Sequence, residues 1–298
     1  MSGGAVLDLT RLRVLLAVAR HGSVTAAAAA LNYAQPSVSH HLARLEAETG
    51  ARLIQRAGRG IRLTEAGRLL AERAEEILGR LDAAESELDA LSGVRAGRVR
   101  LAAFPSALGT FVAAAVAEFR AAHPGVEVGL TEAEPPEAIA ALRAGDVELA
   151  LAFSHEPGDL PAGLRAVPLL DEPLYLVTPP DQTGTALADH ADTPWIGGCQ
   201  RCRAQLLACC AAAGFTPAIA FTTDDYVAVQ SLVAAGVAVA TLPGLAISAA
   251  RNPSVRATRI PGASRHVFAL TYGEPPDPPA TAALLAALRA AVLAGPVP

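Results

Sequence analysis

The segment Gln35-Pro36-Ser37-Val38-Ser39-His40-His41-Leu42-Ala43-Arg44-Leu45-Glu46 carries an apolar set and a hydrogen-bonding set on one helical repeat. Val38, Leu42 and Leu45 fall four and three apart and share a face, which leaves Gln35, Ser37, Ser39, His40 and Arg44 outward. Short or forked donors and acceptors near a helix N-terminus are the groups that reach base edges and phosphates in a major groove. Pro36 fits the first turn, where its missing N–H would have no partner. The next run, Arg52 to Arg62 (RLIQRAGRGIR), sets Arg52, Arg56, Arg59 and Arg62 around Gly58 and Gly60. Two extended segments joined by that tip would make a wing lying along the backbone or minor groove. All 24 basic residues are Arg, so every charged phosphate contact must come from a guanidinium fork.

A second constellation is thiol-based. Cys199, Cys202, Cys209 and Cys210 give a C-x-x-C and a vicinal pair in one short stretch. They read as small buried core residues, as a redox switch whose thiol pKa Arg201 and Arg203 would lower, or as a zinc or copper site. No His or carboxylate follows at ligand spacing, so no metal is expected. A secreted disulfide framework would spread its Cys along the chain, and the N-terminus MSGGAVLDLT has neither a basic nor a long apolar leader region; both suggest the cytosol. No Walker loop, G-x-S-x-G, H-E-x-x-H or G-x-G-x-x-G is present, so neither catalysis nor a cofactor is expected.

These groups need elements to hold them. Leu9, Leu12, Leu16 and Ala19 outline a first helix capped by Asp8, and an Ala-rich helix over Thr25–Leu31 precedes the Asn32-Tyr33-Ala34 turn. From Thr64 a long helix runs to Leu91, with Leu70, Ile77, Ala84 and Leu91 seven apart and Ala74, Leu81 and Leu88 in the complementary register. This is a seam for a second copy. Beyond Arg98, seven short apolar runs alternate with five Ala-rich helices, which predicts parallel sheets covered on both faces. Ligands bind such sheets beyond the strand C-termini. That rule selects Ser106, Thr131, Phe153, Ser154, Cys199, Gln200, Thr222 and Thr223, with helix N-termini beside them suited to a carboxylate, another small anion or a polar group.

Charge divides the 298 residues unevenly. Residues 1–65 carry eight Arg against four acids, whereas the whole chain has net charge -5, so a polyanion is expected to meet only the head. The longest uncharged stretch, Tyr226 to Ala250, is interrupted by Gln230, Ser231, Gly236 and Pro243-Gly244. It reads as a helix and a strand, not a membrane span.

The string Leu9-x-x-Leu12, Gly22-Ser23-Val24-Thr25-x-Ala27-Ala28, Ala34-Gln35-Pro36-Ser37-x-Ser39, Leu45-Glu46 and Leu63-Thr64-x-x-Gly67 resembles the LysR-type transcriptional regulators. The likeness extends over nearly the whole chain. It implies a winged helix-turn-helix head (1–64), a linker and dimerisation helix (65–92), and a two-lobed α/β effector domain like periplasmic binding proteins (95–298). The lobes would be about 95–171 with 267–298, and about 172–266. Gln35, Pro36, Ser37, Ser39 and His40 match the family's recognition-helix contacts, and Arg59 matches a wing contact. Two positions depart from the pattern: His40 where Arg is common, and Ala34 where Ser or Thr frequently caps. The resemblance further implies a homodimer assembled into a homotetramer, double-stranded DNA with an interrupted palindrome, a small-molecule effector, and RNA polymerase as a partner. The family's peroxide-sensing branch keeps a reactive Cys pair in the Cys199–Cys210 neighbourhood, though at a different spacing, so a thiol-sensing regulator is an alternative. A small-molecule-binding protein without regulatory role is the other, and it leaves the basic head unexplained.

Overall fold

The computed structural model describes residues 7–57, 60–91, 97–156, 158, 160–273 and 275–295. Contacts divide the chain near residue 90, and the two parts are taken in turn.

The first part packs α1 (Leu9–His21), α2 (Val24–Ala30) and α3 (Gln35–Thr49), followed by the antiparallel hairpin β1 (Ile54–Ala57) and β2 (Gly60–Leu63) and the long α4 (Glu65–Leu91). Asp8 caps α1 by accepting from the Arg11 N–H, and Ser23 caps α2 through Ala26. Ala34 caps α3 with no side-chain bond. The buried face of α1 is Leu12, Val14, Leu15, Leu16, Ala17 and Val18, broader than the predicted stripe, because α2 and α3 both cover it. Leu9 and Ala19, expected inside, are exposed.

Thr64 fixes the root of α4: its Oγ1 accepts from the Gly67 N–H at 3.0 Å and donates to the Arg52 carbonyl at 2.6 Å. Gly67 is required there, since a Cβ would stand 2.0 Å from the Leu53 carbonyl oxygen. At 1.5 Å per residue the 27 residues of α4 span about 40 Å. The expected seam needs correction. Ala74 is fully buried in the head's own core with Ala71 and Leu78, and Leu70 packs against that core, so this stripe serves the head first. Ile77 and Ala84 remain exposed and Leu81 half-buried; the side chains of Leu88 and Leu91 lie outside the described residues.

The second part runs β3 (Gly97–Ala103), α5 (Pro105–Ala107), a π turn (Leu108–Val112), α6 (Ala113–Ala122), β4 (Val126–Glu132), α7 (Pro135–Arg143), β5 (Leu149–Ser154) and β6 (Arg165–Thr178). It continues through β7 (Pro194–Gly197), α8 (Gln200–Ala212), β8 (Ala218–Thr222), α9 (Tyr226–Ala234), β9 (Val239–Pro243), α10 (Gly244–Ala249), β10 (Arg256–Thr271) and α11 (Pro279–Ala294). The strands form one eight-stranded sheet in the order β4-β3-β5-β10-β6-β9-β7-β8. β3 is parallel to β4 and β5, and β7 is parallel to β8 and β9, but β10 and β6 run antiparallel to their neighbours. The expectation of purely parallel sheets is therefore corrected to a mixed sheet. The two strands predicted as short runs, Leu174–Val177 and Val267–Tyr272, are the ends of β6 and β10, which are 14 and 16 residues long. These two carry the chain between lobes, and the expected hinge falls in mid-strand, where Glu172 pairs with Arg265 and Asp171 with His266.

Each lobe has a core on both faces of its part of the sheet. Leu101, Phe104, Phe119, Leu284 and Leu288 fill one face of the first lobe, and Ala102, Leu142, Phe268 and Leu270 the other. Trp195, Leu206, Cys210 and Val239 sit opposite Val177, Ile196, Val229 and Val233 in the second. Among the described residues no helix is long and apolar enough to cross a membrane.

Candidate nucleic-acid interface and inter-lobe cleft

Helix α3 buries Val38, Leu42 and Leu45. Gln35, Pro36, Ser37, Ser39, His40 and Arg44 are all exposed on it, and Gln35 Nε2 reaches Ser39 Oγ at 3.4 Å. Glu46 ties the helix to the wing by accepting from the backbone N–H of Leu53 at 2.8 Å and of Ile54 at 3.3 Å. Between α3 and the hairpin lies an open concavity of about 840 Å³, lined by Ser23, Gln35, Ser39, Arg52, Gln55 and Arg56 among others. The hairpin register sets Gln55 opposite Arg62 and Arg56 opposite Ile61, so Arg56 and Arg62 lie on opposite faces and Arg56 is the one that borders the concavity. Arg59 lies outside the described residues. What this arrangement offers is a rigid helix end flanked by guanidinium groups, a surface able to enter a groove and hold the backbone beside it.

The second site lies between the lobes, where a cavity of about 40 Å³ opens against the hinge. Arg265 is its dominant group. The side chain is fully buried, its Nε pairs with Glu172, and its Nη2 donates to Ser106 Oγ at 2.6 Å. Its Cζ lies 4.3 Å from the Phe153 ring centroid and 4.8 Å from that of Phe104, so two aromatic faces hold the cation. Burial opposes that charge, but Glu172, together with Tyr226 and Cys202, more than offsets it and the Arg265 pKa stays above its ordinary value. Glu172, also fully buried, accepts the Leu245 N–H at 2.8 Å through its second oxygen. Ser106 belongs to α5, and Leu245 of α10 packs in the same first-lobe core, so one ion pair in the crossing strands is fastened on the first lobe's side.

Other lining groups are perturbed. Burial pushes the Glu134 carboxyl up to about 7 and the Tyr226 phenol up to about 12, and holds His155 down to about 4. Cys199 caps α8, with its Sγ 3.2 Å from that of Cys202. The Cys202 hydrogen bond is the main cause that lowers Cys199 to about 6, and the same contact together with burial pushes Cys202 up. The expected influence of the Arg201 charge is corrected: its Nη1 reaches across to the Phe153 carbonyl at 3.3 Å, and only its backbone N–H contributes at Cys199. Cys210 is core, and Cys209 is half-buried against Gln205; burial raises both.

Of the residues chosen by the strand-end rule, Cys199 and Thr223 line this cavity. Ser106 and Phe153 stand one layer behind it, holding Arg265. Thr131, Gln200 and Thr222 are exposed and do not line it, and the Ser154 hydroxyl is engaged with the Glu156 backbone. The rule assumed two separate sheets with open strand ends, whereas the crossing strands bring the middle of β10 to the cavity. Arg265 and Glu172 were missed for that reason, whereas Glu134, His155 and Tyr226 follow the ends of β4, β5 and β8, a few residues beyond where the rule stopped. The one signal available was charge inside otherwise apolar runs, at Arg265 and Glu172.

Comparison with known proteins decides the family. Residues 9–68 match the model of the bacterial regulatory helix-turn-helix protein, lysR family, and residues 92–293 match the LysR substrate binding domain. The chain belongs to the LysR family. Among its LysR relatives is the RuBisCO operon transcriptional regulator of Allochromatium vinosum, 34% identical over 175 residues, 59% of this chain and 57% of that protein. The aligned region thus spans little more than half the length of that relative. The HTH-type transcriptional regulator TcbR of Pseudomonas sp. (strain P51) is 27% identical over 295 residues, 95% of this chain and 98% of its own. Among solved structures, full-length CbnR complexed with its target DNA superposes with a TM-score of 0.60 and 25% identity, covering 96% of this chain and all of that one.

Proposed function

We propose that this LysR-family chain is a cytoplasmic, non-catalytic transcriptional regulator that grips duplex DNA through α3 and the wing and answers to a small molecule held between its lobes. The observation that carries this reading is the exposed Gln35, Ser37, Ser39, His40 and Arg44 set on a helix whose opposite face is fully packed. Ile77 and Ala84, exposed along α4, would meet a second copy, with two such dimers forming a tetramer. Half-sites of an interrupted palindrome would then stand roughly 34 Å or a multiple apart on one duplex face. RNA polymerase is the further partner this role entails. The CbnR–DNA complex supports the DNA-binding part by likeness of fold and sequence.

The test is a mobility shift on duplex from upstream of neighbouring genes, with salt titration. Arg56→Ala should weaken binding across sequences and reduce the salt slope by about 1. Gln35→Ala should relax base preference, with about 1–3 kcal/mol lost at one base pair. Unchanged affinity and slope in both variants would remove α3 and the wing from the interface.

A further inference from the structure

Two lining residues of the inter-lobe cavity carry buried polar atoms with no hydrogen-bond partner among the described residues: Arg265 Nη1 and His155 Nε2. They are complementary. Arg265 can only donate. His155 Nδ1 faces the Ser264 carbonyl at 3.4 Å, and because a carbonyl can only accept, the proton sits on Nδ1 and Nε2 is left as an acceptor. The ring is neutral at physiological pH, since burial holds its pKa to about 4. The two side chains are neighbours: Ser264 precedes Arg265, and both Arg265 and His155 pack on Phe153. An unmatched buried donor and an unmatched buried acceptor are each costly, so a molecule that fills both has a large advantage over one that fills neither.

Charge decides what kind of molecule. The Arg265 cation is already matched by Glu172. The helix N-termini that would attract an anion are occupied by the chain's own groups: Cys199 Sγ caps α8, and Asp225 accepts from Val227 and Ala228 at the start of α9. Asp224 lines the same cavity, so an anion would meet like charge without a free cation among the lining residues. Burial raises Glu134 to about 7, which leaves it only partly ionised near neutral pH, and a simple ammonium, which can only donate, cannot accept from Arg265 Nη1. We propose that the cleft's ligand is a small uncharged molecule with a carbonyl oxygen beside a hydroxyl, the carbonyl accepting from Arg265 Nη1 and the hydroxyl donating to His155 Nε2. This rests on the reading of the cavity as the effector site and narrows the carboxylate, small anion or polar group expected from the helix N-termini to an uncharged polar one. The roughly 40 Å³ of space, enough for about three waters, restricts the ligand to a few heavy atoms in this lobe arrangement.

The experiment is isothermal titration of the full chain with four probes of similar size: hydroxyacetone, butanone, lactate and ethanolamine. Hydroxyacetone should bind at least about tenfold more tightly than butanone, which lacks the hydroxyl, and than the anion and the cation, one hydrogen bond or charge mismatch being about a factor of ten. His155→Leu should bring hydroxyacetone down to the butanone level, and His155→Asn, which restores an acceptor, should recover most of the difference. Preference for lactate or ethanolamine, no heat with any probe at 50 mM, or equal hydroxyacetone binding in His155→Leu would overturn the proposal. A chain that binds hydroxyacetone but ignores DNA would instead refute the regulator reading.

Discussion

The head and the two-lobed part handle polar groups in opposite ways. Among the described residues of the head, every fully buried side chain is apolar, and the groups that could read a partner lie outside on α3. The two-lobed part buries Arg265, Glu172, Ser106, His190 and Gln230, and its candidate ligand contacts lie inside. A surface reader can exchange its exposed residues at little cost to folding. A buried reader cannot, because each polar group there must also satisfy its neighbours.

The sharpest way to break this contrast is Arg265→Met. It leaves Glu172 buried without its cation and should cost about 3–5 kcal/mol in chemical denaturation, while Arg265→Met/Glu172→Leu should recover most of that. A loss below about 1 kcal/mol would mean that the buried pair does not fasten the hinge. In the head the largest single effect should come from backbone crowding, not charge. Gly67→Ala forces a methyl against the Leu53 carbonyl and should lower stability by about 1–3 kcal/mol, read from the head's unfolding transition.

Smaller effects sharpen the comparison through pH. The folded pKa of Glu134, about 7, exceeds its unfolded value of 4.5, so the folded state holds the extra proton and stability falls as pH rises from 4.5 through 7. Glu134→Gln should flatten that fall in melts taken between pH 4 and pH 8. An unchanged profile would show that the carboxyl is not buried in solution. Smallest is the thiol effect. Cys202→Ala removes the hydrogen bond that stabilises the Cys199 thiolate, so alkylation of Cys199 at pH 7 should slow several-fold, with DNA affinity of the reduced protein unaltered.

What could be read from the sequence follows the same division. A helix that buries one stripe advertises the other, so Val38, Leu42 and Leu45 revealed Gln35, Ser37 and Ser39 by period alone. The local rule failed on α4, where Ala74 of the seven-residue pattern went to the head's own core. It failed more widely at the cleft, because Arg265 and Glu172 are 93 residues apart and meet only through antiparallel register between two crossing strands. Periodicity carries no information about such a pairing. The helix cap at Asp8 was legible because the partner N–H lies three residues away.

The hydroxyl and backbone N–H of Thr64 join the start of α4 to the loop before the wing, and Gly67 lets the two backbones touch. The helix is packed on the head as far as Leu78, so the lever is the outer stretch from there to Leu91, about 20 Å, where one degree of tilt carries about 0.35 Å of sideways travel. The inner half, tied to the loop before the wing at Thr64, would move with the head as one body.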